Sequence, residues 1–177
     1  PAVVVGLPLK LMFDDVLNSP LVAGCLFPVT GIALLWSSRL QPAEGDYRTM
    51  SWRDALFIGC CQAVAILPGL SRSGTTIAAG LTRKLDRPSA ATFSFLLAIP
   101  AILGAGVLEG LSMWKHGELP KTPVGYLLIG AAVSFFVGLF SVWLLNRWLQ
   151  RGRIHLFAWY CIVLGVMVVI WQLAIKF

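Results

Sequence analysis

Ala55–Leu67 reads ALFIGCCQAVAIL and runs directly into Pro68-Gly69-Leu70-Ser71-Arg72-Ser73-Gly74-Thr75-Thr76. The apolar stretch has 13 residues, whereas a helix that crosses a bilayer needs about 20. After the polar run, apolar character resumes only as Ile77–Leu81 before Arg83-Lys84. Two half-length helices joined by a polar turn predict a re-entrant hairpin over about residues 51–87. Irregular polar backbone is tolerated at membrane depth only where protein buries it or a wet cavity meets it. A polar turn placed where polarity is expensive therefore points to function.

The rest of the chain supplies the membrane. Of 177 residues, 58% are hydrophobic and 12% charged, about half the charge of a soluble domain, and the mean hydropathy is +0.81. A soluble globule, a disordered tail and a nucleic-acid binder are excluded. Four segments have spanning length: Pro20–Ser38, Ala90–Leu111, Val124–Leu145 and Ile154–Ile175. Residues Ala2–Phe13, followed by Asp14 and Asp15, read as an amphipathic connector or the end of an earlier helix. The expected fold is all-α: four transmembrane helices plus one re-entrant hairpin in a single membrane domain over 1–177. A chain that opens on Pro1 in mid-pattern is expected to be the C-terminal part of something longer. Cys25, Cys60, Cys61 and Cys161 all fall in apolar runs and read as small buried hydrophobes.

The formal charge of +6 is unevenly placed. A re-entrant hairpin returns to its own side, so Arg39, Arg48, Arg53, Arg83, Lys84, Arg87, Arg147, Arg151 and Arg153 share one face, against Lys10, Lys115, Lys121 and Lys176 on the other. Nine cations against four make the first face cytoplasmic. Trp and Tyr near span ends fit interfacial anchoring.

The turn suits a phosphate for separable reasons. Pro68 stops the incoming helix, and Gly69 and Gly74 allow a tight turn and close backbone approach. A second helix starting near Ser73 or Gly74 would aim its unpaired N–H groups at the ligand. Ser71, Ser73, Thr75 and Thr76 offer four hydroxyls within six residues. Arg72 grips two phosphate oxygens and stays charged when desolvated. A plain capping turn explains Ser and Gly here, but it does not explain an arginine whose insertion costs about 2.5–3.5 kcal/mol at a helix centre.

Pro68–Thr76 resembles the P-G-x-S-R-S-x-x-T signature of the undecaprenyl pyrophosphate phosphatase (undecaprenyl-diphosphatase, bacitracin-resistance) family. Ser51-Trp52-Arg53-Asp54-Ala55, Gly59 through Gln62, and Phe93–Leu97 with Pro100 agree with it, and the similarity runs over essentially the whole chain. The resemblance implies an inner-membrane hydrolase of two inverted repeats, this chain holding the second, that recycles the lipid carrier of peptidoglycan synthesis. It assigns Ser71, Arg72 and Thr76 to catalysis, with Ser71 as nucleophile or phosphate ligand. Ser73, Gly69, Gly74 and Thr75 would bind phosphate, and Gln62 would support them. It also implies Mg²⁺ or Ca²⁺, with ligands outside this sequence. The partners expected are a polyprenyl pyrophosphate lipid and the missing N-terminal repeat, in cis or as another chain, with a homo-oligomer left open and no nucleic acid. The active site would open to the outer face.

The family's first signature, Glu/Gln-x-x-x-Glu with Pro-x-Ser-Ser and a His, is absent, so this chain alone is expected to be an incomplete enzyme. A lipid or small-anion transporter using the same tip for binding is the alternative reading.

Overall fold

The computed structural model describes residues 19–40, 43–116, 124–152 and 154–176. Among them are six helices and no strand: α1 (Pro20–Ser38), α2 (Trp52–Val64), α3 (Arg72–Thr82), α4 (Arg87–His116), α5 (Val124–Gln150) and α6 (Ile154–Lys176). Four of these, α1, α4, α5 and α6, are long and apolar enough to cross a membrane. The chain is a multi-pass membrane protein. The spans expected from the sequence are all present, but α4 starts three residues earlier and α4 and α5 each run five residues further. The Ala2–Phe13 connector, Asp14, Asp15, Lys10, Lys121 and Arg153 lie outside the described residues.

The tightest helix pair is α1 with α6. A side chain at Gly165 would stand 2.4 Å from Pro28 Cδ and 2.8 Å from the Gly24 carbonyl oxygen, and one at Gly31 would stand 2.7 Å from the Ala158 carbonyl oxygen. Gly24 in turn faces Val168 and Val169. Numbers rise along α1 as they fall along α6, so the pair is antiparallel. Lipid offers no hydrophobic drive for association, and small residues let backbones meet and gain dispersion contacts instead. Ala158 and Cys161 are fully buried in this seam, whereas Cys25 and Cys60 are exposed. The expectation of four buried cysteines is thus corrected: an apolar run says nothing about which face of its helix is covered.

Helices α2 and α3 form a hairpin. At 1.5 Å per residue they are about 20 and about 16 Å long, short of the roughly 30 Å hydrocarbon core. Ser51 caps α2, its hydroxyl accepting the Asp54 N–H at 3.2 Å and donating to the Asp54 carboxylate at 2.6 Å. Arg83, at the end of α3, donates to Asp54 at 2.6 Å, so both feet lie at one end. Asp54, a residue that could cap the helix or pair with its neighbour Arg53, takes the capping role. In the structure Arg53 lies over the Trp52 ring, because adjacent positions on a helix do not face each other.

The exit from α3 is a Schellman turn. Leu85 N–H bonds the Gly80 carbonyl and Lys84 N–H the Leu81 carbonyl, each at 3.1 Å, with Lys84 left-handed at φ 65°. Asp86 then caps α4, accepting the Ser89 N–H at 2.6 Å. Helix α3 is made small by Gly74, Ala78, Ala79 and Gly80, all buried, and it packs between α1, α2 and α4 around Leu34, Ile58, Ile77 and Ala91. Helix α5 touches little of this: every residue from Gly125 to Trp143 is exposed. A surface that apolar needs lipid or protein against it.

The Gly165→Ala variant is expected to lose about 1–3 kcal/mol through overpacking, read as a lower thermal midpoint in detergent. Gly138→Ala, with open space around it, should be neutral or gain up to about 1 kcal/mol from helix propensity. Asp54 is held below the ordinary carboxylate range by the Ser51 hydroxyl first and Arg83 second. A lowered carboxyl contributes stability above its unfolded value, and that contribution is lost as the pH falls through the folded one. Asp54→Asn should therefore cost stability near neutrality and flatten its decline on the acid side, measured by thermal melts across pH.

Candidate phosphate-binding tip

The turn between α2 and α3 is pressed onto α1. Gly69 has φ +89°, and a side chain there would stand 2.1 Å from the Ala23 carbonyl oxygen, so no other residue fits. Two residues on, Ser71 N–H donates to the Thr30 hydroxyl at 3.1 Å. Thr30, only 1% exposed, carries the one hydroxyl of α1 away from the helix ends. That bond fixes where α3 begins.

Ser71 is the N-cap of α3, so the helix starts at Arg72 rather than at Ser73 or Gly74 as the sequence suggests. The Ser71 hydroxyl accepts the Gly74 N–H at 3.2 Å and lies 3.5 Å from the Ser73 hydroxyl. Thr75 N–H donates to the Ser71 carbonyl at 2.8 Å. Among the described residues the N–H groups of Arg72 and Ser73 find no acceptor. They are the open donors at the positive end of the helix.

Arg72 is half-buried, and one guanidinium nitrogen donates to the Ala98 carbonyl at 3.4 Å. That is a long bond, and with five donors on the fork it leaves most of the group uncommitted. The neighbouring carbonyl, Leu97, accepts from the Gln62 amide at 3.5 Å. Both carbonyls lie just before Pro100 in α4, whose missing N–H and ring loosen the helical ladder there. Gln62 is 5% exposed, and among the described residues its amide oxygen has no partner.

The remaining candidates divide by depth. Ser71, Ser73 and Thr75 are half-buried beside the turn. Gly74 is buried, its α-carbon face turned to the Thr30 methyl. Thr76 is 1% exposed and faces inward. Its hydroxyl donates to the Arg72 carbonyl at 2.9 Å, shared with that of Ser73 at 3.2 Å, and meets the Ser94 hydroxyl at 2.6 Å. Its one proton is used on the carbonyls, so Ser94 supplies the second. Thr76 thus ties the first turn of α3 to α4 from behind. The structure brings Ser71, Arg72 and Ser73 together in front of it.

Thr30 and Ser94 received no role in the sequence reading. A lone hydroxyl in the middle of an apolar span is the signal that marks Thr30. As for a metal, the described residues gather no group of three or more His, Cys, Asp or Glu, and Asp54 is engaged at the feet. Hydroxyls, amides and a guanidinium do not by themselves fit Mg²⁺ or Ca²⁺, which want several oxygen ligands with carboxylates among them.

Residues 1–167 match the family described as bacitracin resistance protein BacA. The chain belongs to that family. Among its relatives, an undecaprenyl-diphosphatase of Rhodopirellula baltica is 48% identical over 173 residues, which are 98% of this chain and 67% of the relative. Undecaprenyl-diphosphatase 3 of Bacillus cereus is 37% identical over 97% of this chain and 66% of its own length. An undecaprenyl-diphosphatase of Desulfosudis oleivorans is 43% identical over 93% and 59%. The chain spans about two thirds of the length of these relatives or somewhat less.

Thr76→Val is expected to cost about 1–3 kcal/mol, because it strands the Ser94 hydroxyl in a buried site. Adding Ser94→Ala should recover part of that loss, a non-additivity measurable by a double-mutant cycle in detergent melts.

Proposed function

We propose that this chain carries the phosphate-gripping half of an undecaprenyl-diphosphatase, which hydrolyses undecaprenyl pyrophosphate to undecaprenyl phosphate and inorganic phosphate. The observation that carries the reading is a half-buried guanidinium, largely uncommitted, beside two open N–H groups at the start of a helix. The names of the relatives agree with it.

In this reading the pyrophosphate enters over the N-terminus of α3. Arg72 binds two oxygens of the terminal phosphoryl group, and the Arg72 and Ser73 N–H groups bind another. Charge that builds on those oxygens as the bond to the bridging oxygen breaks is met by donors already in place, and this preorganisation supplies most of the catalysis in phosphoryl transfer. Ser71 stands beside the same group with its proton free to donate. It acts either as a ligand or as the nucleophile whose phosphoester water then cleaves. Ser73 and Thr75 offer further donors, and Gly69 and Gly74 let the backbone come close. Thr76 and Gln62 hold the first turn and α4 in register. The described donor set lacks the clustered carboxylates that a divalent ion would need.

The hairpin is read as re-entrant, its feet in the cytoplasm of a bacterial inner membrane and its tip reaching a cavity open to the outer face. The chain would be one of two inverted repeats, its counterpart supplied in cis or by another chain. With no Glu-x-x-x-Glu among the 177 residues, these residues alone are expected to release no phosphate.

Phosphate release from undecaprenyl pyrophosphate in proteoliposomes tests the proposal, using the protein complete with both repeats. Arg72→Ala should lower turnover by about 10²–10³, and Arg72→Lys should restore part of it. A Cys at position 71 should react with an impermeant thiol reagent added outside. Wild-type turnover in Arg72→Ala would refute the assignment, and lipid translocation without phosphate release would make the protein a transporter.

A further inference from the structure

A second basic site lies at the other end of α3. The C-terminal ends of α1, α3 and α5 meet the N-terminus of α4 around a cavity of about 250 Å³, lined by Ser37, Leu81, Asp86, Arg87 and Gln150 among others. This is smaller than the roughly 300–1,000 Å³ of pockets for drug-sized ligands. Its walls carry Leu40, Leu81 and Leu85 near α1 and α3, and Asp86, Arg87 and Gln150 near α4 and α5.

Arg87 is the group that gives the cavity its chemistry. It is half-buried, and among the described residues its guanidinium has no acceptor. Gly152, just past α5 with φ +70°, makes room for it: a side chain there would stand 2.9 Å from the Arg87 Nη1 atom. The one acid on the wall, Asp86, is committed to capping α4 through the Ser89 N–H. The same end carries Arg39, Lys84, Arg147 and Arg151, all exposed. A half-buried cation without a counter-ion, in a cavity at the basic end of a membrane protein, calls for an anion.

We propose that this cavity binds the phosphodiester head group of an anionic phospholipid, with Arg87 gripping the phosphate oxygens and Gln150 beside it. Clusters of cations on the cytoplasmic side attract anionic lipid in this way. The uncovered apolar face of α5, which begins at Trp143 and runs away from the cavity, provides the surface for the acyl chains. Ser71 and Arg72 lie about 16 Å away along α3 and take no part in this site. The site stands whether or not the tip hydrolyses pyrophosphate.

Native mass spectrometry of the protein in uncharged detergent, with phosphatidylglycerol or phosphatidylcholine added, tests this. Phosphatidylglycerol should be retained about tenfold more strongly, and Arg87→Gln should remove that preference, since charge-assisted bidentate contacts are the strong ones. Arg87→Lys should keep only part of it. Equal retention of the two lipids, full retention in Arg87→Gln, or displacement of the lipid by an equal concentration of inorganic phosphate would each overturn the proposal. A photoactivatable phosphatidylglycerol provides a readout on the unaltered protein. Cross-links near Arg87 and Gln150 support the site, and cross-links confined to the α1–α6 pair refute it.

Discussion

The hydrogen bond from Ser71 N–H to Thr30 anchors the tip. It joins a turn that has no secondary structure of its own to a helix long enough to cross the membrane, and in doing so it sets the first residue of α3. Once α3 starts at Arg72, the helix periodicity places everything else. Ser71 becomes the cap, Arg72 and Ser73 keep their N–H groups open, and Thr76, one turn on, points inward to Ser94. A start one residue later would rotate each of these by about 100° and take the guanidinium from the α4 carbonyl it meets.

The tip is held from three sides by helices that differ in what they contribute. Helix α1 offers a hydroxyl at Thr30 and a close backbone approach at Ala23, possible only because position 69 is glycine. Helix α4 offers two carbonyl oxygens just before Pro100, where the ladder is loosened. Helix α2 brings Gln62 to one of those carbonyls. Polar contacts of this kind hold their place in an apolar surround because the alternative is an unpaired dipole. The Gln62 amide oxygen is the one buried side-chain acceptor left open among the described residues, and it lies where the reading places the substrate's surroundings.

The two ends of α3 suit anions in different ways. Its N-terminus presents open donors and one arginine beside a neutral, hydroxyl-rich turn, a place for a compact and highly charged anion. Its C-terminus is closed by a Schellman turn and surrounded by cations, some already engaged: Arg83 with Asp54 and the Phe57 ring, Arg147 over Trp143. Arg87 lines the cavity. A short helix thus separates two regions, each suited to an anion of a different kind.

Much of this was legible in the residues alone. Apolar runs of about 20 residues specify spanning helices because lipid leaves the backbone no other partner, and the 13-residue run before Pro68 could only stop short. The Pro-Gly turn, the hydroxyls and Arg72 mark a candidate anion site, because hydroxyls and a guanidinium are costly in an apolar surround without a partner. What the one-dimensional pattern left undecided was side: which cysteines are covered, that Asp54 answers Arg83 rather than Arg53, that Thr76 faces α4, and that Thr30 and Ser94 belong to the site. Those depend on contacts between residues far apart in the chain, such as Ser71 with Thr30, 41 positions apart, and Gly31 with Ala158 across the α1–α6 seam. Helix rotation and register are chosen by packing between elements, through close approaches such as those at Gly69 and Gly165, and no local spacing encodes them.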